Sequence, residues 1–374
     1  MVVAARRLAE AEASRVGQGV PLTNPRLYGD YRFLAKEQPG TSASDPFHGY
    51  LLGIDGQFEV SGASGKRLDE ADRRVEVAQA ELNEERSRAA ARLWTAWVDV
   101  RLAERLVTNA REAVQLQDRV DFASRERLKT GVSGEPEVTI VAVELAALRV
   151  ELEDALRRRE AALLALKDVL DLPHDAVLEL DATPVDPRPV PDRDQVLGRA
   201  LDKRPELVAQ RARLALVEAT DTRLARETVP RLGVNLGLDA APASPVCGFV
   251  GLSMDIPVAQ RNQGPRAIAQ AARETGQLRL DVLQRRIARE VVQAHTNYAA
   301  RLKALEVLVR DALPNAERTQ ALVEEGWRVG RFDIFSLTSA TRQLITVRRE
   351  RMETLAAVWH DYIELERASG GLTP

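Results

Sequence analysis

The chain has 374 residues, of which 29% are charged and only 4% are aromatic, and its formal net charge at pH 7 is −3. This near balance argues against a nucleic-acid partner, which would favour a strongly basic face. The single cysteine, Cys247, excludes an internal disulfide and a cysteine-cluster metal site. The four histidines are scattered, so the sequence predicts neither a metal site nor a cofactor.

The first segment of the chain, residues 1–172, opens with a short helix before Pro25. A strand pair is predicted at about residues 26–60, where apolar side chains such as Leu52 and Ile54 alternate with small or polar ones. Such strands would be short compared with the helices that follow them.

Apolar residues at 3–4 spacing predict a long helical hairpin over about residues 65–170. Gly131 ends its first arm, and Pro136 suits the first turn of its second arm. At about 1.5 Å per residue the first arm is roughly 100 Å long. A helix of that length needs helical neighbours along its whole length.

The second segment, residues 194–374, follows the same order of elements. The predicted elements are a proline-rich linker at 173–193, a helix at 194–228, a strand pair at about 230–258 and a long helical hairpin at about 264–368. Pro314 lies inside the second hairpin and should kink it, because proline removes one backbone hydrogen bond.

The glycines of the two segments lie at one constant offset. Gly264 follows Gly65 by 199 positions, and Gly330 follows Gly131 by the same 199 positions. A repeat of this length is too long for a solenoid, whose units have about 20–50 residues. The pattern indicates an internal duplication of a module made of a strand pair and a helical hairpin.

The strands of the second segment alternate strictly between apolar and small or polar residues. Alternation alone is typical of a soluble, half-buried sheet, but it also suits a membrane barrel. Four strands cannot close a barrel and no helix face is predicted beside them, whereas three chains would close a barrel of twelve strands. The side chains predicted to face lipid are Leu232, Val234, Leu236, Leu238, Val250, Leu252 and Met254.

No stretch has the roughly 18–20 consecutive apolar residues that cross a bilayer as a helix. Residues 1–15 lack the apolar core and cleavage site of a signal peptide. Only 24 residues precede Pro25, whereas a predicted helix of 35 residues precedes Pro230. We therefore expect part of the first helix to be missing, so that either the start site lies upstream or the chain is truncated.

Several short motifs follow one another in a characteristic order. They are Gly131 with Glu135-Pro136-Glu137, Lys203-Arg204-Pro205-Glu206-Leu207, Ile256-Pro257 with Arg261-Asn262-Gln263-Gly264, Leu313-Pro314 with Ala316, and Gly330 with Ala340-Thr341-Arg342. Together they resemble the TolC-type outer-membrane efflux proteins over essentially the whole chain. The corner that ends at Gly264 resembles the heavy-metal cation (cobalt-zinc-cadmium) resistance branch of the RND-system outer-membrane factors.

The resemblance implies a mainly α fold with a small β part. It implies a homotrimer with a twelve-stranded outer-membrane β-barrel, four strands per chain, continued by a long α-helical coiled-coil tunnel through the periplasm. The implied function is a passive exit duct of a tripartite RND-type efflux system that exports heavy-metal cations from a Gram-negative bacterium. Its partners would be outer-membrane lipid, a periplasmic adaptor (membrane fusion protein) and, indirectly, an inner-membrane RND pump.

The resemblance also implies roles for residues at the two hairpin tips. The residues expected to contact the adaptor are Gly131, Val132, Ser133, Gly134, Gly330, Arg331 and Phe332. Family members often close the tip with carboxylates, but the corresponding positions here are Ser336 and Ser339. Asp333, Glu135 or Glu137 would then supply a negative gate ring instead.

An enzyme is not predicted. Gly65-Lys66 superficially suggests a phosphate loop, but the glycine spacing fails the P-loop pattern and Arg67 stands where a hydroxyl is needed. Two alternatives stay open: a soluble or periplasmic coiled-coil scaffold or adaptor, and a truncated, non-functional relative of the channel. An adaptor also has a helical hairpin, but two matched copies of strand pair plus hairpin favour the duct.

Overall fold

The computed structural model describes residues 2–34, 47–180, 187–240, 245–254 and 256–371. Within those ranges the helices are α1 (Val2–Arg15), α2 (Ala63–Lys129), α3 (Glu135–Val169), α4 (Arg193–Lys203), α5 (Pro205–Arg226), α6 (Gln263–Val307), α7 (Leu313–Arg328) and α8 (Ile334–Ser369). The strands there are β1 (Arg26–Leu34), β2 (Phe47–Phe58), β3 (Leu232–Ala240) and β4 (Cys247–Met254). The predicted mainly α fold with a small β part is confirmed.

None of the helices in the described ranges has an apolar stretch long enough to cross a lipid bilayer.

The chain divides into two compact units, and each unit takes residues from both halves of the sequence. One unit contains Met1–Glu85 and Pro205–Leu283, and the other contains Arg86–Arg204 and Gln284–Pro374. The long helices α2 and α6 contribute residues to both units.

All four strands lie in the first unit and form one antiparallel sheet of order β1-β2-β3-β4. The pairing of β2 with β3 places the hairpin from the first half of the chain beside the hairpin from the second half. Ile54 is opposite Leu236, and Leu236 is opposite Val250. Because paired residues of antiparallel strands point to the same face, this register gathers the apolar side chains on one face.

Ion pairs hold α5 between α2 and α6 in the first unit. They are Arg213–Glu81 (2.6 Å) and Arg223–Glu70 on the α2 side, with Arg266–Asp221 (3.1 Å) and Arg273–Glu218 (3.1 Å) on the α6 side. Glu70 is almost fully buried and also pairs with Arg74 at 2.6 Å. A buried carboxylate with two guanidinium partners has its charge compensated, whereas loss of a partner would leave it costly to bury.

Glu59, which follows β2, links the sheet to the helices in the same unit. Its side chain is 3% exposed and accepts hydrogen bonds from both terminal nitrogens of Arg67, each at 2.8 Å. Arg231, just before β3, lies 3.4 Å from the same carboxylate. One buried carboxylate therefore joins the end of β2, the first turns of α2 and the start of β3.

Pro314 is accommodated by a local change of helix type in the second unit. Residues Leu308–Ala312 form a π-helical segment between α6 and α7, and Leu313 donates its backbone N–H to the carbonyl of Leu308. Proline has no N–H to donate to the next intrahelical hydrogen bond, and one wider π turn accommodates it. The interruption expected at Pro314 therefore takes the form of a π turn that begins six residues before it.

The helix expected over residues 194–228 is two helices in the structure. α4 ends at Lys203, and Arg204 adopts an extended backbone (φ −61°, ψ 125°), because the ring of Pro205 disfavours a helical residue before it. Pro205 then starts α5. The Arg204 side chain is 1% exposed, and its guanidinium group lies 2.7 Å from Glu290 of α6.

The proline-rich linker is fastened to the second unit at its described end. The hydroxyl of Tyr298 donates to the backbone carbonyl of Arg188, and a ring nitrogen of His295 lies 3.0 Å from the carbonyl of Pro191. The guanidinium group of Arg188 donates to the Tyr362 hydroxyl at 2.9 Å. Burial, with a smaller contribution from Tyr362, raises the pKa of Tyr298 to about 12, so Tyr298 stays a neutral hydrogen-bond donor at physiological pH.

The last turn of α8 generates a prediction about Gly370. This residue has a left-handed backbone (φ +72°), and a Cβ there would lie 3.0 Å from the Cα of Arg204. We expect Gly370→Ala to lower the stability by about 1–3 kcal/mol, because it adds backbone strain and a contact with immobile main chain. Gly198→Ala, at a helical position of α4 with open space around it, should stabilise by about 0.5–1 kcal/mol. Thermal unfolding followed by circular dichroism measures both, and equal midpoints would contradict this account.

Candidate functional site

Both hairpin tips lie in the second unit and reverse the chain at a left-handed glycine. Gly131 has φ +73° and Gly330 has φ +77°, a conformation that costs little only for glycine. The hydrogen bonds around the two glycines correspond one to one. They run from Gly131 N–H to Leu128 O (3.0 Å), Val132 N–H to Arg127 O (2.9 Å), Gly330 N–H to Trp327 O (3.0 Å) and Arg331 N–H to Gly326 O (2.7 Å).

This pattern is the Schellman motif, which satisfies carbonyls left open at a helix end. Each acceptor and donor of the second tip follows its counterpart in the first tip by 199 positions. The same backbone geometry is therefore built twice from different side chains.

The predicted adaptor-contact residues lie together at these tips and are mostly exposed. Ser133 is half-buried, and the exposed ones are Gly131, Val132, Gly134, Gly330, Arg331 and Phe332. Two of them are large and apolar: Val132 is 64% exposed and Phe332 is 46% exposed. Phe335, on the first turn of α8, adds a further exposed ring. Apolar side chains presented at a chain reversal offer a contact surface for another protein.

The tips are anchored by residues that sequence reasoning missed. The guanidinium group of Arg127 donates to the carbonyl of Trp327 at 2.8 Å and lies 4.8 Å from the centre of the Trp327 ring. Trp327 is buried with Val120, Val141, Ile334 and Leu337, so α2, α3, α7 and α8 share one core beneath the tips. In the sequence, the sign of this anchor was a tryptophan three residues before the glycine that ends the helix.

Two of the three candidate gate carboxylates, Asp333 and Glu137, have structural roles. Asp333 caps α8 by accepting the backbone N–H of Ser336 at 2.8 Å, and hydrogen bonds from Ser336 lower the pKa of Asp333. Glu137 accepts the hydroxyl hydrogen of Ser133 at 2.9 Å at the start of α3. Glu135 is exposed.

The serine candidates differ in accessibility. Ser339 is exposed, whereas Ser336 is half-buried beside its cap. The gate candidates lie at the starts of α3 and α8, where carboxylates suit the positive ends of helix dipoles.

One face of the sheet is apolar and exposed within a single chain. Leu252 is 83% exposed and Val250 is 74% exposed. The predicted lipid-facing residues are all on this face, at Leu232, Val234, Leu236, Leu238, Val250, Leu252 and Met254. The register adds Leu52 and Ile54, which alternate clearly in the sequence, and Leu27, which lies in a strand with looser alternation.

The same face carries a cluster of aromatic rings near the end of β1 and the start of β2, and Phe58 lies on it at the other end of β2. Tyr31, Phe33, His48 and Tyr50 contact one another there, with ring centres 5.2–5.8 Å apart. Tyr31 also shares a hydrogen bond with His48. Amphipathic rings at one edge of an apolar band are typical of a boundary between hydrocarbon and water.

The opposite face of the sheet carries mainly polar and very small residues, together with Leu51, Tyr28 and Phe249. Arg26, Asp55 and Asn235 lie in one row of paired residues, and the carboxylate of Asp239 lies 3.9 Å from Arg32. A sheet with one apolar face and one polar face needs an apolar environment on one side and water on the other.

Comparison with known proteins identifies the family. Residues 196–371 match the family described as outer membrane efflux protein. Residues 196–371 therefore carry the sequence pattern of the outer membrane efflux protein family. This efflux protein is 25% identical over 320 residues to the cobalt-zinc-cadmium resistance protein CzcC of Cupriavidus metallidurans, covering 84% of this chain and 75% of that protein.

Solved structures share the fold of the efflux protein. The outer-membrane channel OprN has a TM-score of 0.77 at 22% identity, with 99% of this chain and 86% of that chain covered. The outer membrane protein VceC of Vibrio cholerae has a TM-score of 0.76 at 15% identity, with 99% and 92% covered. CusC, which forms a transmembrane channel, has a TM-score of 0.75 at 16% identity, with 98% and 88% covered.

These matches confirm the predicted class of protein. The chain is an efflux channel protein of the outer membrane and not an enzyme.

The tips contain three glycines, and their backbone geometry predicts that two of them are needed for stability. We expect Gly131→Ala and Gly330→Ala each to lower the stability by about 1–2 kcal/mol, because both add a Cβ to a left-handed residue. Gly134→Ala is the control, since Gly134 has φ −94° and its Cβ would meet only the ring of Pro136 at an ordinary 3.5 Å. Unfolding midpoints compare the three variants, and a loss for Gly134→Ala as large as the others would refute the explanation.

Proposed function

We propose that this efflux protein is the passive exit duct of a tripartite RND-type efflux system and that it exports heavy-metal cations. The observation that supports the exit duct is the sheet with an exposed apolar face and an opposite polar face. The substrate class rests on similarity to CzcC, a cobalt-zinc-cadmium resistance protein.

The sheet supports a homotrimer as the working form. β1 and β4 are its outer strands, so each leaves one edge for a strand of another chain. Three sheets joined edge to edge would form a closed barrel of twelve strands, in which every backbone group finds a partner. The apolar face then meets lipid, and the face with Arg26, Asp55 and Asp239 lines a watery lumen.

The two segments 1–172 and 194–374 would be copies of one module with residues 173–193 as their linker. The matched tip hydrogen bonds support this duplication.

The tips are proposed to dock on a periplasmic adaptor that connects the duct to an inner-membrane RND pump. Exposed Val132 and Phe332 supply apolar contacts, and the left-handed glycines hold the surface in a fixed shape. At the same end, Asp333 with Glu135 and Glu137 would form a negative ring that attracts cations, with Ser336 and Ser339 as further gate residues.

The lipid-facing assignment is tested by two adjacent residues of β4. Leu252→Arg should abolish trimers in the outer membrane, because a guanidinium group at the bilayer midplane costs about 2–4 kcal/mol per chain. Ser253→Arg is the matched control, since its side chain is also exposed but lies on the opposite face. Membrane fractionation followed by sizing in detergent measures both, and normal trimer yield from Leu252→Arg would refute the orientation.

The proposed export is tested by expressing the full-length gene in a Gram-negative host whose cobalt-zinc-cadmium system lacks its outer-membrane component. Restored growth on zinc, cobalt or cadmium salts is expected. Val132→Asp should reduce this resistance and the co-purification of the adaptor without loss of trimer. Val177→Asp is the control, because Val177 is 89% exposed and lies in the link after α3. Trimeric protein in the outer membrane without metal resistance would refute the substrate class.

A further inference from the structure

One row of paired residues on the polar face differs from its neighbours. Tyr28 pairs with Gly53, Gly53 pairs with Gly237, and Gly237 pairs with Phe249. The row therefore has an aromatic residue on each outer strand and a glycine on each inner strand. The rows on either side contain charged residues, with Asp55 on one side and Asp239 on the other.

The two rings of this row lean over the two glycines. A Cβ added to Gly53 would lie 2.6 Å from Cζ and from the hydroxyl oxygen of Tyr28. A Cβ added to Gly237 would lie 2.5 Å from Cζ of Phe249. Side chains of a strand normally stand away from the sheet, so these rings occupy the space that a neighbouring side chain would fill.

Burial agrees with this arrangement. Tyr28 and Phe249 are half-buried, and the neighbouring Cys247 is exposed. No other element in the described ranges packs over the polar face. The rings are covered by the sheet itself. Glycine at both inner positions therefore allows the two large side chains to lie flat against the sheet.

We propose that the row formed by Tyr28, Gly53, Gly237 and Phe249 sets the aperture of the duct at one level of its lumen. The proposal rests on the proposed trimeric duct, in which three copies place six rings and six glycines at that level. With the rings flat, the passage is wide and its wall is apolar between two charged levels. A side chain in place of either glycine would push the rings into the lumen.

Gly53→Ala is the sharpest test, because the three atoms nearest to its new Cβ all belong to the Tyr28 side chain. Purified trimers in planar lipid bilayers should show a lower unitary conductance for Gly53→Ala than for the wild type. The double variant Gly53→Ala with Tyr28→Ala should regain at least the wild-type conductance, because the displaced ring is gone. Gly56→Ala is the matched control: it lies on the same strand, on the opposite face, with nothing within 4 Å of its Cβ.

The outcomes separate this inference from the proposed function. Wild-type protein that forms no channels would refute the duct itself. Conducting wild type together with an unchanged conductance for Gly53→Ala, or with no recovery in the double variant, would overturn the aperture.

If Gly53→Ala does not assemble, the same question is put to Tyr28→Cys in a Cys247→Ser background. A bulky, water-soluble thiol reagent should then lower the conductance of open channels. Full conductance after complete labelling would overturn the assignment, because residue 28 would not line the aperture.

Discussion

The structure depends on one constraint: the four strands of the described ranges form a sheet with two open edges. β1 and β4 each present an outer edge, and one face exposes leucine, valine and isoleucine side chains. Open edges can pair with further strands, and an exposed apolar face is unfavourable in water. In lipid, only closure removes unpaired backbone groups. The pairing of β2 with β3 joins the two hairpins into one continuous sheet, which in the proposed trimer would be one third of the barrel wall.

The helical hairpins have a different requirement: the chain must reverse sharply while backbone groups at the helix ends keep hydrogen-bond partners. Each tip meets it with a left-handed glycine and the same set of hydrogen bonds. The core beneath the tips then fixes them, because Arg127 binds both the carbonyl and the ring of Trp327. If the tips dock on an adaptor as proposed, a surface held by backbone geometry and one shared core would lower the entropy lost on binding.

Sequence reasoning found features that depend on local chemistry and missed those that depend on distant partners. Gly131 and Gly330 were recognised because a helix end favours glycine in any context. Alternation identified the apolar side chains of β3 and β4. The burial of Glu59 between Arg67 and Arg231 was not predictable, because a glutamate after a strand looks solvated until its partners are known. Pro205 was visible, yet the helix break before it was overlooked within a strongly periodic stretch.

The sequence by itself determined the order of elements, the long hairpins, the tip glycines and the two-faced strands, because periodicity and backbone preference act over a few neighbouring residues. Only the tertiary structure decided which strands are neighbours, and with that which residues share a row. Tyr28 and Phe249 are more than 200 positions apart, and register alone brings Gly53 and Gly237 between them. Register depends on pairings between distant parts of the chain, and a pattern with a period of two residues fits several of them equally well.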